Sequence, residues 1–276
     1  MLTIQIKSIE CVYKPIKAIL GALNFKFKNK IPLLLLILYN FFCLRKIIPF
    51  LKHFWDLYKQ VKNISKIPKL LQKAKEIVVG IKRKTLTTRY SHDNRVDVHQ
   101  GFYEVDCTGF VNHILISQKL VKALREVQDF IETERIVPKP KDGLPWPLHY
   151  TVFFDSEKPK KNWFPFTNAY MLEPGDVIAY TSNDTRANPS SEDGQHIMIV
   201  AGRYIPIPKS RIWVPIFDST RKPHGHEDKR GREGGIGVAI IELELNLKGK
   251  PGRLKWYPGS KFSLNRNITM ARVIDS

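Results

Sequence analysis

The sequence is short of cysteine, of acidic residues in its first third, and of hydrophobic stretches long enough to cross a bilayer. Its 276 residues contain three cysteines, Cys11, Cys43 and Cys107, far apart and without a Cys-x-x-Cys pair. That spacing argues against a disulfide framework and against a cysteine-based zinc site. Without disulfides, either side of a membrane remains compatible with the chain. The uncharged run "IPLLLLILYNFFCL", residues 31–44, falls short of the roughly 20 residues of a spanning helix. Its length fits a signal-peptide core or an interfacial segment, but the long region before it and the absence of small residues in "FFCLRKII" count against cleavage. Lys30 on one side and Arg45 and Lys46 on the other leave its orientation undetermined. The favoured reading is a membrane-proximal or interfacial helix, with an amphipathic helix packed on the protein body as the plainer alternative. No internal repeat is apparent.

The charge is one-sided in the same region. Residues 1–90 hold 19 Lys and Arg against 3 acidic residues, net +16, while the other 186 residues carry +3 of the total of +19. Lysines interleaved with Leu, Ile and Phe suit an anionic lipid surface. Nucleic acid would also suit the charge, but no nucleic-acid motif accompanies it, and none is expected as a partner. A cell-envelope or membrane-associated location is therefore expected, with a cytoplasmic one still compatible. Hydrophobic residues make up 43% and aromatics 11%, enough to bury a sizeable core.

The pattern predicts two parts. Residues 1–66 read as a basic, partly hydrophobic helical extension, including the cationic helical pattern "FLKHFWDLYKQVKNI"; residues 67–276 read as the main domain. "KLLQKAKEIVVGI" carries Leu70, Leu71, Ala74, Ile77, Val78 and Ile81 on one stripe and predicts its first helix. A polar stretch, residues 85–106, precedes a helical run from Cys107 to about Ser117, and "LVKALREVQDFIETE" predicts another helix, ending before Pro138 and Pro140. Residues 138–173 read as irregular, with a strand at "YTVFF". Strand-like segments follow at "DVIAY", "HIMIVAG", "IWVPIFD" and "GVAIIELEL", with closing strands at "LKWYPGSKF" and "ITMARVI". Helices followed by short strands predict an α+β domain with an antiparallel sheet.

Three residues stand out chemically. Cys107, in "YEVDCTGFVNHIL", would open a helix, where unpaired N–H groups and the helix dipole favour thiolate. Asp106 is a good N-cap type, and Gly109 permits a close approach. The plain alternative is a buried cysteine acting as a small hydrophobe. His196 begins "HIMIVAG", where alternation puts it with Met198 and Val200 on one face and Ile197 and Ile199 on the other; it is a candidate base, or a structural histidine. Asp218 ends "IWVPIFD", and antiparallel pairing with "HIMIVAG" would bring its carboxylate to the imidazole. It would serve equally in an Asx turn at "DST".

"DCTGFV", "PGDVIAY" and "HIMIVAG", in that order, resemble the NlpC/P60 superfamily of papain-like cysteine peptidases across roughly residues 70–220. The resemblance implies a nucleophile helix packed on an antiparallel sheet, Cys107 as nucleophile, His196 as base and a polar third residue, for which Asp218 is the choice. It further implies a tyrosine contacting substrate or oxyanion, Tyr90 with Tyr103 as its competitor, and Asp106 binding a substrate amine; Thr108 stands where the family usually has serine. The implied activity is cleavage of an amide in a peptidoglycan stem peptide or related peptide, with no cofactor and no metal. A transglutaminase-like or acyltransferase enzyme is a second reading, and a non-catalytic envelope-binding protein on a degenerate peptidase scaffold is a third. The loop "STRKPHGHEDKRGREGGIG" holds His224, His226 and Asp228, read as a solvated loop rather than a metal site. His92, His99, His113 and His149 lack a partner pattern and are read as structural or exposed.

Overall fold

The computed structural model describes residues 68–136, 143–182, 194–224, 228, 230–231, 233–261 and 266–274. The extension of residues 1–66, with its run at 31–44, Cys11 and Cys43, lies outside the described residues, as does His226. No described helix is long and apolar enough to cross a membrane.

Among the described residues, four α-helices and two sheets make a mixed α+β fold. Helix α1, Lys69–Lys82, buries Leu70, Leu71, Ala74, Ile77 and Val78 along one stripe. Pro68 precedes it, where the missing N–H breaks no helical bond. A small three-stranded sheet follows, from β1 (Thr87–Arg89), β2 (Arg95–Asp97) and β3 (Phe102–Glu104), in the order β1-β3-β2. These strands lie in the stretch that reads as merely polar, because three-residue strands are too short to display an alternation. Helix α2, Cys107–Ser117, and helix α3, Val121–Glu134, come next; α3 buries Ala123, Leu124, Val127 and Ile131 and closes on Arg135 in the left-handed region.

The segment "YTVFF" corrects the expectation of a strand: it lies in helix α4, Pro147–Asp155. Pro147 sits in the first turn, where its fixed φ is preorganised for a helix. The Trp146 N–H donates to His149 Nδ1 at 2.8 Å, and Thr151 Oγ1 donates back to the Pro147 carbonyl at 2.9 Å. The helix is buried nearly all round, Tyr150, Phe153 and Phe154 included, so no amphipathic stripe marked it and its β-branched and aromatic residues read as a strand.

The large sheet is antiparallel throughout. It is built from β4 (Trp163–Phe166), β5 (Val177–Ser182), β6 (Gln195–Val200), β7 (Ile205–Ile207), β8 (Arg211–Thr220), β9 (Gly235–Leu245), β10 (Pro251–Lys255) and β11 (Arg266–Val273). Its order is β10-β9-β8-β6-β5-β11-β4, with β7 added to β8. The expected strand at "LKWYPGSKF" stops at Lys255, leaving Trp256 beyond the ladder. Period-2 alternation splits the core in two. Ile197 and Ile199 pack with Phe110, Val111, Ile114, Leu115 and the other helices on one face; Met198, Val200, Tyr180, Ile216, Ile241 and Met270 fill the other. Each fully buried aliphatic side chain contributes about 1.5–3 kcal/mol, so α2 is anchored by its own apolar residues.

Candidate active site

Helix α2 begins at Cys107 because Asp106 caps it. Asp106 has extended backbone, and its Oδ1 accepts from the Gly109 N–H at 2.7 Å and from Thr108 Oγ1 at 2.9 Å. Its Oδ2 faces His92 Nδ1 at 3.0 Å, and Tyr90 Oη lies 3.4 Å from His92 Nε2. The Asp106 N–H donates to Asn94 Oδ1 at 3.0 Å. Gly109 is what lets the 90–94 loop close on the helix, since a Cβ there would lie 1.7 Å from Asn94 Oδ1. Burial disfavours the Asp106 charge, but hydrogen bonds from His92, Gly109 and Thr108 hold its carboxyl below the usual value. The carboxylate is thus 8% exposed and committed to the cap and to His92.

The sheet opens beside the cysteine. Among the described residues β6 and β8 pair through Ile199↔Phe217 and Val200↔Ile216 and then separate. The backbone N–H groups of Ile197, the residue that follows His196, and of Thr108 favour the charged form of the Cys107 thiol, while Ser219 Oγ donates to the Val105 carbonyl at 2.6 Å and ties β8 to the segment before the helix. Burial first, and then the negative charges of Asp106 and Asp218, push the thiol well above its ordinary 9.0, despite those two N–H groups. The resting group is a neutral thiol.

His196 is 7% exposed and its Nε2 lies 2.8 Å from Asp218 Oδ2. Asp218 falls within β8, opposite Gly237, rather than in a turn after it. Its Oδ2 also takes His224 Nε2 at 2.8 Å, and its Oδ1 takes Arg230 Nη2 at 2.7 Å. Burial opposes the Asp218 charge, yet Arg230 and His224, with the two imidazole hydrogen bonds, hold its carboxyl well below the ordinary 3.8. An ionised carboxylate only accepts, so Nε2 carries the proton in each imidazole. Nδ1 of His196 is then the basic nitrogen, and burial lowers its affinity for a second proton despite the opposing Asp218 carboxylate.

The 221–234 loop corrects the expectation of a solvated segment at His224 and Asp228. Both are buried, at 8% exposure each. Asp228 Oδ2 accepts from the His224 N–H at 2.9 Å, and its Oδ1 accepts from Arg230 Nε at 2.9 Å. Trp256 stacks on His224 with ring centroids 4.3 Å apart and planes 7° from parallel, and meets His196 edge-on at 5.1 Å. Tyr180, paired with His196 across β5 and β6, completes the wall at 5.7 Å from Trp256. His224 and Arg230 fold back onto Asp218 from 6 and 12 residues further on, and Trp256 meets His196 from beyond the end of β10, so no local periodicity marks any of them.

Of the two tyrosines, Tyr90 lies by the capped end of α2, whereas Tyr103 is 3% exposed, edge-on to His113 in the core. Thr108 supplies a hydroxyl to the cap, and its N–H favours the charged form of the thiol.

His196, Asp218 and His224 bring three ligand-type atoms within 4.8 Å of one another and could hold a cation. The Arg230 guanidinium on the same carboxylate already supplies a buried positive charge there, and a second cation beside it would be repelled. The arrangement is better suited to proton transfer: a carboxylate fixes the tautomer of the His196 imidazole, and a thiol stands at the N-terminus of the helix packed on the same sheet. The chain matches no protein-family model, no curated protein and no solved structure, so the chemistry is argued from these residues.

Proposed function

We propose that the protein is a thiol hydrolase that cleaves an amide bond, on a papain-like fold of the NlpC/P60 kind. The observation that carries this reading is the gap between β6 and β8. It supports the reading because the Ile197 N–H, which acts on the Cys107 thiol, is one residue from an imidazole whose Nε2 lies 2.8 Å from Asp218 Oδ2.

The chemistry follows from the protonation states. With a neutral thiol and a neutral imidazole, His196 Nδ1 takes the Cys107 proton as sulfur attacks the carbonyl carbon. Among the described residues the thiol has no hydrogen bond to the imidazole at rest; such contacts commonly tighten only when substrate is bound. The Cys107 N–H, at the first helical position, has no intrahelical acceptor and is placed to stabilise the oxyanion. The imidazolium returns its proton to the departing amine. A water, deprotonated by the same nitrogen, then releases the acyl group from sulfur. Asp218 stabilises the imidazolium through both steps, and Arg230 keeps Asp218 ionised.

The substrate class, a peptidoglycan stem peptide, rests on the ordered motifs "DCTGFV", "PGDVIAY" and "HIMIVAG". Its test is digestion of purified peptidoglycan with release read by mass spectrometry. Wild-type protein is expected to release peptides, Cys107→Ala none, and His196→Ala nearly none. Unchanged release by Cys107→Ala would overturn the mechanism. Release only in the presence of an added amine acceptor would favour acyl transfer to an amine over hydrolysis.

A further inference from the structure

Arg266 opens β11 opposite Ser182 of β5, at the end of the sheet where Tyr180 pairs with His196. Its guanidinium carbon lies 4.6 Å from the centre of the Tyr180 ring, and the far neighbours of that ring are His196, at 6.1 Å, and Trp256. The Nε and Nη1 atoms of Arg266 are buried and have no hydrogen-bond partner. Arg266 is half-buried, and two buried guanidinium nitrogens without a partner call for a water, an ion or a ligand group to complete them.

The same arginine lines a cavity of about 890 Å³ between β10 and the start of β11. Its charged lining comprises Lys209, Lys250, Arg253 and Arg266 against Asp155 and Glu244. Arg253 is bonded to Glu244, while Lys209 and Lys250 form no ion pair among the described residues. The cavity is thus cationic, and Arg266 joins it to the aromatic wall of the cysteine site.

We propose that Arg266 anchors a subsite for a carboxylate group of the substrate, on the far side of Tyr180 from His196, with Lys209 and Lys250 adding positive potential. A planar guanidinium backed by an aromatic ring is the group best matched to a planar carboxylate, which it binds through paired N–H groups. The subsite would select acyl donors bearing a free carboxylate and disfavour the corresponding amides, because a carboxylate accepts from the paired N–H groups with its charge and an amide does not. Calling the ligand a substrate rests on the amide-hydrolase reading, but the binding does not.

Binding is therefore measured in full-length Cys107→Ala protein, which forms no acyl-enzyme, using N-acetyl-trialanine with a free C-terminus, its C-terminal amide, and inorganic phosphate. Affinity is read by isothermal titration calorimetry in every variant, and the nitrogen-15 resonance of the Arg266 Nε–H, assigned by its loss in Arg266→Lys, reports whether the ligand reaches that side chain. The expected result is a saturable shift with the free acid, at least tenfold weaker binding of the amide, and loss of that preference in Arg266→Met with no fall in melting temperature. The absence of a saturable shift, or equal shifts with acid and amide, would overturn the subsite. Tighter binding of phosphate than of the free acid would overturn its assignment to a carboxylate. A clear acid preference together with an inert peptidoglycan digest would leave the subsite standing and remove the hydrolase reading.

Discussion

At the scale of single residues, Asp218 is the centre of the site, and its charge is sustained by Arg230. Both are buried, joined at 2.7 Å, and Arg230 is joined in turn to Asp228. Removing one member of such a pair strands the other's charge, at a cost of about 3–5 kcal/mol. Arg230→Met is expected to lose stability of that order in denaturant melts, with Arg230→Lys recovering part. The pH dependence follows from the same groups. The Asp218 pKa is depressed on folding, so its contribution is complete above 3.8 and is lost as pH falls towards the lower folded value. The His196 pKa is also lowered, so the unfolded chain binds its proton more readily and stability declines as pH falls below 6.5. Arg230→Met should move the Asp218 part of that loss to higher pH. Cys107 gives a separate readout. With its pKa above 9.0, iodoacetamide alkylation should accelerate continuously from pH 6.5 to 9.0; a plateau near neutrality would mean a preformed thiolate.

At the scale of elements, helix α2 and strand β6 were legible from short-range pattern alone. Asp106 before Cys107 marks a helix start, and "HIMIV" alternates between the two faces that the cores occupy. Asp218 follows from the same logic, since antiparallel neighbours bring strand positions together. Helix α4 was not legible, because burial on every side removes the stripe that distinguishes a helix. His92, His224, Arg230 and Trp256 were not legible either. Their roles depend on loops returning to the site, and no local periodicity encodes a return. Gly109 was read as a point of close approach, and the approaching group is the Asn94 side chain. Gly109→Ala should displace Asn94 and loosen the cap, at a cost of about 1–3 kcal/mol for overpacking a closed contact. Asn94→Ala in the same chain should recover part of that loss in thermal melts, because it removes the clashing oxygen. Failure of that recovery would place the strain elsewhere.

At the scale of the molecule, charge and packing are divided between different parts of the chain. Both described cores are assembled from residues between Leu70 and Ala271, helices on one face of the sheet and strand side chains on the other. The thiol, base, carboxylate and Arg230 all fall inside that range. Most of the excess charge does not: residues 1–69 hold 13 Lys and Arg against 2 acidic residues, +11 of the total of +19, with lysines interleaved among large apolar residues. Such a segment gains from an anionic lipid surface by about 1 kcal/mol per basic residue near the headgroups, and that gain is screened by salt. Full-length protein is therefore expected to sediment with vesicles containing phosphatidylserine and to be released as salt rises. A chain lacking residues 1–64 should stay in the supernatant while keeping its thermal transition and its Cys107-dependent activity. Co-sedimentation of the shortened chain would move the lipid contact onto residues 65–276, and loss of its thermal transition would show that those residues need the extension to fold.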